Sequence, residues 1–182
     1  MMKTIRIGLL VLAAAVIGFC ALAALQPSEL NVERSALIAA PPAVVFAYVN
    51  DLHEWQKFSP WAKRDPAAKN TFEGPGAGTG AAFSWAGNAE VGEGRMTIVE
   101  SVPNELVRCR LDFLKPFEGT NDVAFTFTPQ EDQTRVVWSM TGKNDFMGKA
   151  IGLLMDMDKM IGDDFEHGLA DLKQLSEAAA GR

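Results

Sequence analysis

The stretch that decides the fold is Phe146 to Ala180, FMGKAIGLLMDMDKMIGDDFEHGLADLKQLSEAAA. Leu154, Met157, Ile161, Phe165, Leu169, Leu172 and Leu175 recur in it at steps of three and four, the spacing that lines side chains along one stripe of an α-helix. Asn144 and Asp145 stand just before it as N-cap candidates, and no proline interrupts it. Read as one helix, about 30 residues rising about 1.5 Å each give a rod of roughly 45 Å. A rod with one apolar stripe needs a broad apolar partner. Asp156, Asp158, Asp163, Asp164 and Glu166 read as its solvated face, because they lack the ligand order and central glycine of a calcium loop.

The partner surface lies upstream, where the period changes to two. Val107, Cys109, Leu111 and Phe113 alternate with Arg108, Arg110 and Asp112, the pattern of a strand with one buried face. Strands are expected at 70–73, 81–86, 90–101, 107–114, 123–128 and 135–141. Between them lie the glycine-rich run Gly74 to Gly80, a tight turn at Gly87-Asn88, Pro103-Asn104, Lys115-Pro116 and Pro129 to Gln133. Gly92 and Gly94 mark a bulge or bend. Before these, Leu30 to Ala39 reads as a first strand. Pro41-Pro42 opens a short helix, Asp51 to Lys57 forms a second, and Ala62 to Lys69 is a polar loop. Strand, two short helices, a meander and a long helix make an α+β fold, with a curved antiparallel sheet of six to seven strands wrapped around the C-terminal helix.

Upstream of the domain, Ile7 to Leu25 carries no charge, follows Lys3 and Arg6, and closes at Gln26-Pro27. Such a run is long enough to span a bilayer. The flanking charges place its N-terminus inside and the domain on the extracytoplasmic side. Its length favours an uncleaved, single-pass anchor; Ala21-Leu22-Ala23 leaves open a cleaved signal and a secreted domain. The division is therefore 1–26 as anchor or signal peptide and 27–182 as folded domain. The chain carries a net charge of −6, and losing Lys3 and Arg6 lowers it by two, to −8. A domain so acidic repels phosphate backbones, which argues against nucleic acid as a partner. Cys20 lies in the apolar run and Cys109 in a strand, so they are poor disulfide candidates and cannot form a zinc site by themselves.

Several residue sets resemble the START-like or polyketide cyclase/dehydrase superfamily (SRPBCC), with its helix-grip fold, over roughly Asn31 to Leu175. They are the entry Ile38-Ala39-Ala40-Pro41-Pro42-Ala43-Val44-Val45-Phe46-Ala47-Tyr48-Val49 with Trp55 following, Phe58-Ser59-Pro60-Trp61, Gly92-Glu93-Gly94 before Met96-Thr97-Ile98, and Phe165-Glu166-His167-Gly168-Leu169-Ala170-Asp171-Leu172-Lys173. The resemblance implies a deep, mostly apolar pocket between sheet and C-terminal helix, which in different members holds lipids, sterols, polyketides or hormones. Some members catalyse cyclisation.

The residues fit such a container. Trp55, Trp61, Phe72, Phe83, Trp85, Met96, Phe113, Phe125, Trp138, Met140, Met157, Ile161 and Phe165 are the cavity candidates, since ligand cavities are lined mainly by apolar and aromatic groups. Ordinary core packing is the competing reading of each. Gly76-Ala77-Gly78-Thr79-Gly80-Ala81 meets the GxGxxG/A pattern, but a strand follows it where a dinucleotide site needs a helix N-terminus. His53 and His167 form no metal motif, so neither metal nor cofactor is expected. No nucleophile–base pair stands out, and no catalytic residue is assigned. The expected function is a membrane-anchored domain binding a hydrophobic or amphiphilic small molecule or lipid. The alternatives are a cyclase/dehydrase-type enzyme and a ligand-free tethered interaction module.

Overall fold

The computed structural model describes residues 2–181. An apolar helix α1 (Met2–Ala24) leads into β1 (Glu29–Ile38), followed by the short helices α2 (Pro42–Asn50), α3 (Leu52–Phe58) and α4 (Pro60–Arg64). The strands β2 (Lys69–Glu73), β3 (Ala82–Ala86), β4 (Glu93–Val102), β5 (Leu106–Lys115), β6 (Gly119–Gln130) and β7 (Gln133–Lys143) come next, and α5 (Phe146–Gly152) and α6 (Met157–Ala179) close the chain. The seven strands of the described residues form one sheet in the order β1-β7-β6-β5-β4-β3-β2, and every neighbouring pair is antiparallel. The curved sheet with its C-terminal helix is thus the expected α+β architecture, at the upper strand number.

Alternation decides which face is buried. Val107 and Cys109 are buried, whereas Arg108 and Arg110 are exposed, and β6 and β7 bury Val123, Phe125, Phe127, Val136, Trp138 and Met140 in the same way. The helices cover this concave face, with α6 packed along β1 and α2 against β5, β6 and β7. Of the stripe read from the sequence, Phe165, Leu169 and Leu172 on α6 are buried and Met157, Ile161 and Leu175 are half-buried.

Several boundaries differ from expectation. The C-terminal segment is two helices rather than one rod, broken at 153–156, and Leu154 is 76% exposed. Asp156 is the cause, because its carboxylate caps a new helix by accepting from the Lys159 backbone N–H at 2.9 Å. Asp145 caps α5 through the Gly148 N–H at 2.7 Å, as anticipated. The expected polar loop at 62–69 begins inside α4, which has Ser59 as N-cap and Pro60 in its first turn. The turn at Gly87-Asn88 extends to Gly92, so β4 starts at Glu93 rather than Glu90.

Arg34 of β1 fastens the start of α6. Its guanidinium donates to Asp158 Oδ2 at 3.0 Å and to Glu166 Oε1 at 3.1 Å, and it lies across Gly162. Asp158 and Glu166 are therefore exposed, as read, but engaged. A Cβ at residue 162 would overlap this guanidinium, yet the guanidinium ends a flexible side chain that can step aside. Relief of glycine in a helix interior contributes about 1 kcal/mol, and a partly exposed ion pair is worth about 0–1 kcal/mol. Gly162→Ala is therefore expected to leave stability within about 1 kcal/mol of wild type by urea denaturation.

Candidate functional site

The concave face carries two aromatic groups, each set by strand register. Toward the free edge of the sheet, Phe72 pairs in register with Phe83, and their rings stack 5.9 Å apart. Phe83 contacts Trp85 at 5.7 Å, and Trp85 meets Phe113 edge-on at 6.0 Å. Gly94 is the register partner of both Trp85 and Phe113. A Cβ on Gly94 would stand 2.4 Å from the Trp85 ring, so this glycine gives the indole its resting place. Trp85 Nε1 donates to the Val91 carbonyl at 3.0 Å. Phe72, Trp85 and Phe113 are half-buried, and His53 of α3 stacks on Phe72 at 4.0 Å.

Beneath α6 the second group centres on Trp138. Its ring stacks on Phe165 of α6 with centroids 4.2 Å apart and planes 8° apart, lies 4.6 Å from its register partner Phe125, and meets Trp55 at 5.4 Å and Trp61 at 6.0 Å. Phe58, which is not among the cavity candidates read from the sequence, completes it at 6.4 Å. Gly168 lets α6 come this close, since a Cβ there would sit 2.7 Å from the Trp138 ring. Trp55, Trp61, Phe125, Trp138 and Phe165 are thus brought together, and Phe72, Phe83, Trp85 and Phe113 form a separate row. Met96 and Met140 are buried on the same sheet face, and Met157 and Ile161 are half-buried on the first turns of α6.

Polar groups in this interior are few. Among the described residues, Trp138 Nε1 is buried without a hydrogen-bond partner, as is Ser176 Oγ toward the far end of α6. An unpaired buried donor costs about 1–3 kcal/mol, so the indole N–H is a point where an acceptor would be welcomed. Asp164 departs from its expected place on the solvated face: it is 6% exposed and pairs with Arg64 of α4. Nothing in the local sequence signals this, because the partner lies 100 residues away.

Arg110 and Asp112 lie on the opposite face of β5. Burial pushes the Asp112 carboxyl upward, but hydrogen bonds from Thr120 Oγ1 and Arg110 outweigh it and hold the group below the usual range. At the edge, Arg95 keeps Glu73 low in the same way. Cys109 is inert by contrast, with burial pushing its thiol up to about 12. In a Cys20→Ser protein, Cys109 is expected to resist iodoacetamide at about pH 8 until the domain is unfolded, as read by mass spectrometry, because the thiolate is the reactive form.

Hollows lie outside the Trp138 group. One of about 470 Å³ lies where α1 ends, between Gln26, Pro27, Glu29, Asn144, Lys149 and the 153–157 elbow. Another, about 80 Å³, lies under the glycine-rich run, between Leu52, His53, Phe72 and Gly74 to Gly76. The space directly under α6 is occupied by the Trp138 rings.

Solved structures share this architecture. A protein of Thermus thermophilus is 21% identical, with 83% of this chain and 99% of that one covered and a TM-score of 0.57. The Aha1 dimer of Colwellia psychrerythraea is 17% identical over 81% of this chain and 96% of that one, with a TM-score of 0.59. StfQ, a di-domain ARO/CYC of the steffimycin biosynthetic pathway, is 15% identical over 85% of this chain and 53% of that one, with a TM-score of 0.60. At these identities the likeness is one of fold. A comparison with curated proteins gives no significant match. The family described as polyketide cyclase / dehydrase and lipid transport matches residues 29–177, which is the whole domain from the start of β1 to the last turns of α6, and the chain belongs to that family.

Proposed function

We propose that the protein is a membrane-anchored container that holds a hydrophobic or amphiphilic small molecule, of lipid or polyketide type, against the concave face beneath α6. The observation that carries this reading is Trp138 Nε1, a directional donor set among aromatic rings and unpaired among the described residues. Ligand sites combine these two features, apolar walls and a few fixed polar groups. The family's description, which includes lipid transport, points the same way. Anchoring is supported by α1, in which Ile5–Ala24 is long and apolar enough to cross a membrane.

Entry requires the Phe165 and Trp138 rings to part, since a 4.2 Å stack leaves no room between them. The break between α5 and α6 divides the covering helix where such a movement would start. Binding of cis-parinaric acid, read by energy transfer from tryptophan, tests the reading. Saturable binding is expected, and Trp138→Phe, which keeps a ring but removes the N–H, is expected to weaken it about tenfold, the equivalent of about 1.4 kcal/mol for one hydrogen bond. Equal binding by both proteins would remove Trp138 Nε1 from the site. A second reading, a tethered interaction module with a filled core, is favoured by the closed packing around Trp138, and it predicts no saturable binding at all.

A further inference from the structure

The two ends of the sheet differ in chemistry. At one end lie the start of β1, the end of β7, the β5–β6 turn and the α5–α6 elbow, because Glu29 pairs with Lys143 and Phe113 with Gly119. This end exposes Leu114 (54%), Phe117 (58%), Phe146 (52%), Met147 (47%), Leu154 (76%) and Met155 (50%). At the other end, β4–β5 and β6–β7 turn through Pro103 to Glu105 and Glu131-Asp132. A cluster of exposed apolar groups marks a contact surface, whereas single ones do not.

The linker says what meets this surface. Only residues 25–28 separate α1 from β1, and four residues reach at most about 14 Å. The α1 helix also packs against α5. Leu25, immediately past the helix, is 81% exposed. A span of 23 residues is about 35 Å long, so it crosses the hydrocarbon core of about 30 Å and ends at the far headgroups. The linker is not extended: Gln26 N–H donates to the Ala23 carbonyl at 3.1 Å and Asn144 N–H to the Ser28 carbonyl at 2.9 Å, so together with the α1–α5 packing it holds the apolar end of the domain beside the headgroups.

We propose that this end, with the β5–β6 turn and the α5–α6 elbow as its two contacts, rests in the interface of the bilayer that α1 crosses. The inference rests on the anchor reading of α1. Its partner is the lipid surface itself, taken up by apolar insertion. Lys115, Lys143 and Lys149 at this end are offset by Glu29, Glu93, Glu118, Asp145 and Asp156, so anionic lipid is not required. The consequence is that the Phe113 end of the aromatic row and the first turn of α6 stand close to the membrane, where an apolar cargo need not cross water.

The test uses the full chain with Cys20→Ser in phosphatidylcholine vesicles. An environment-sensitive fluorophore is attached at Phe117→Cys, at Leu154→Cys, or at the control Glu105→Cys. The control lies at the far end of β5, whose 10 residues extend about 33 Å. Emission from 117 and 154 is expected to be blue-shifted relative to 105, quenched by nitroxide-labelled lipid, and unchanged by high salt or added phosphatidylglycerol. Water-like emission at 117 and 154, equal to that at 105, would overturn the docking. Alkaline carbonate extraction of the same samples separates the two readings. A chain retained in the membrane with water-like labels keeps the anchor and loses the docking. A released chain overturns the anchor reading and, with it, the docking argued from it.

Discussion

Trp138→Ala is expected to lower the unfolding free energy by about 3–5 kcal/mol, the range for removing a large aromatic from a packed core. The ring is 1% exposed and touches Phe125, Phe165, Trp55, Trp61 and Phe58 from the sheet, α3, α4 and α6. Alanine would leave a hole bordered by all of these elements, and closing it would mean moving α6. One term opposes the loss, since the mutation also removes an unpaired N–H worth about 1–3 kcal/mol. Trp138→Phe isolates that term by keeping most of the ring while relieving the donor, and should cost far less than the alanine. Urea denaturation followed by the remaining tryptophans measures both. An alanine cost below about 1 kcal/mol would mean that the rings do not pack as one unit.

Gly168→Val is expected to destabilise by about 2–3 kcal/mol, the upper part of the overpacking range. Helix propensity alone argues the other way, since most residues in a helix interior are better than glycine by a few tenths to about 1 kcal/mol. Geometry decides. The added Cβ would lie 2.7 Å from the Trp138 ring and 3.3 Å from Pro60. A ring stacked on Phe165 and a proline in the first turn of α4 cannot step aside as Arg34 can at Gly162. The contrast between the two glycines of one helix is therefore the sharper measurement: near neutrality for Gly162→Ala, clear loss for Gly168→Val. Equal effects at both would contradict the close seating of α6.

Much of this was legible in the chain. The stripe Ile161, Phe165, Leu169 and Leu172 named the gripped helix, and the alternation from Val107 to Phe113 named the sheet face it meets. The break at 153–156 was hidden because Leu154, Met157 and Ile161 keep helical spacing across it. The signal that was present was Asp156, which reads equally well as a helix-surface acid or as an N-cap, and the structure makes it the cap. The Arg64–Asp164 pair and the seats at Gly162 and Gly168 were not legible, since each depends on which distant residue arrives opposite it. In the sequence the aromatic candidates form one set. Register divides them into a half-open row ending at Phe113 and a closed group around Trp138, and sequence alone does not fix that register.

Native mass spectrometry of the full chain, purified from cells in mild detergent and then extracted with organic solvent, tests the container reading most directly. An added mass of lipid or polyketide size is expected, which solvent removes and incubation with the extract restores. A bare chain mass that stays unchanged through incubation with a panel of lipids and polyketides would contradict it, leaving a filled domain tethered to the membrane.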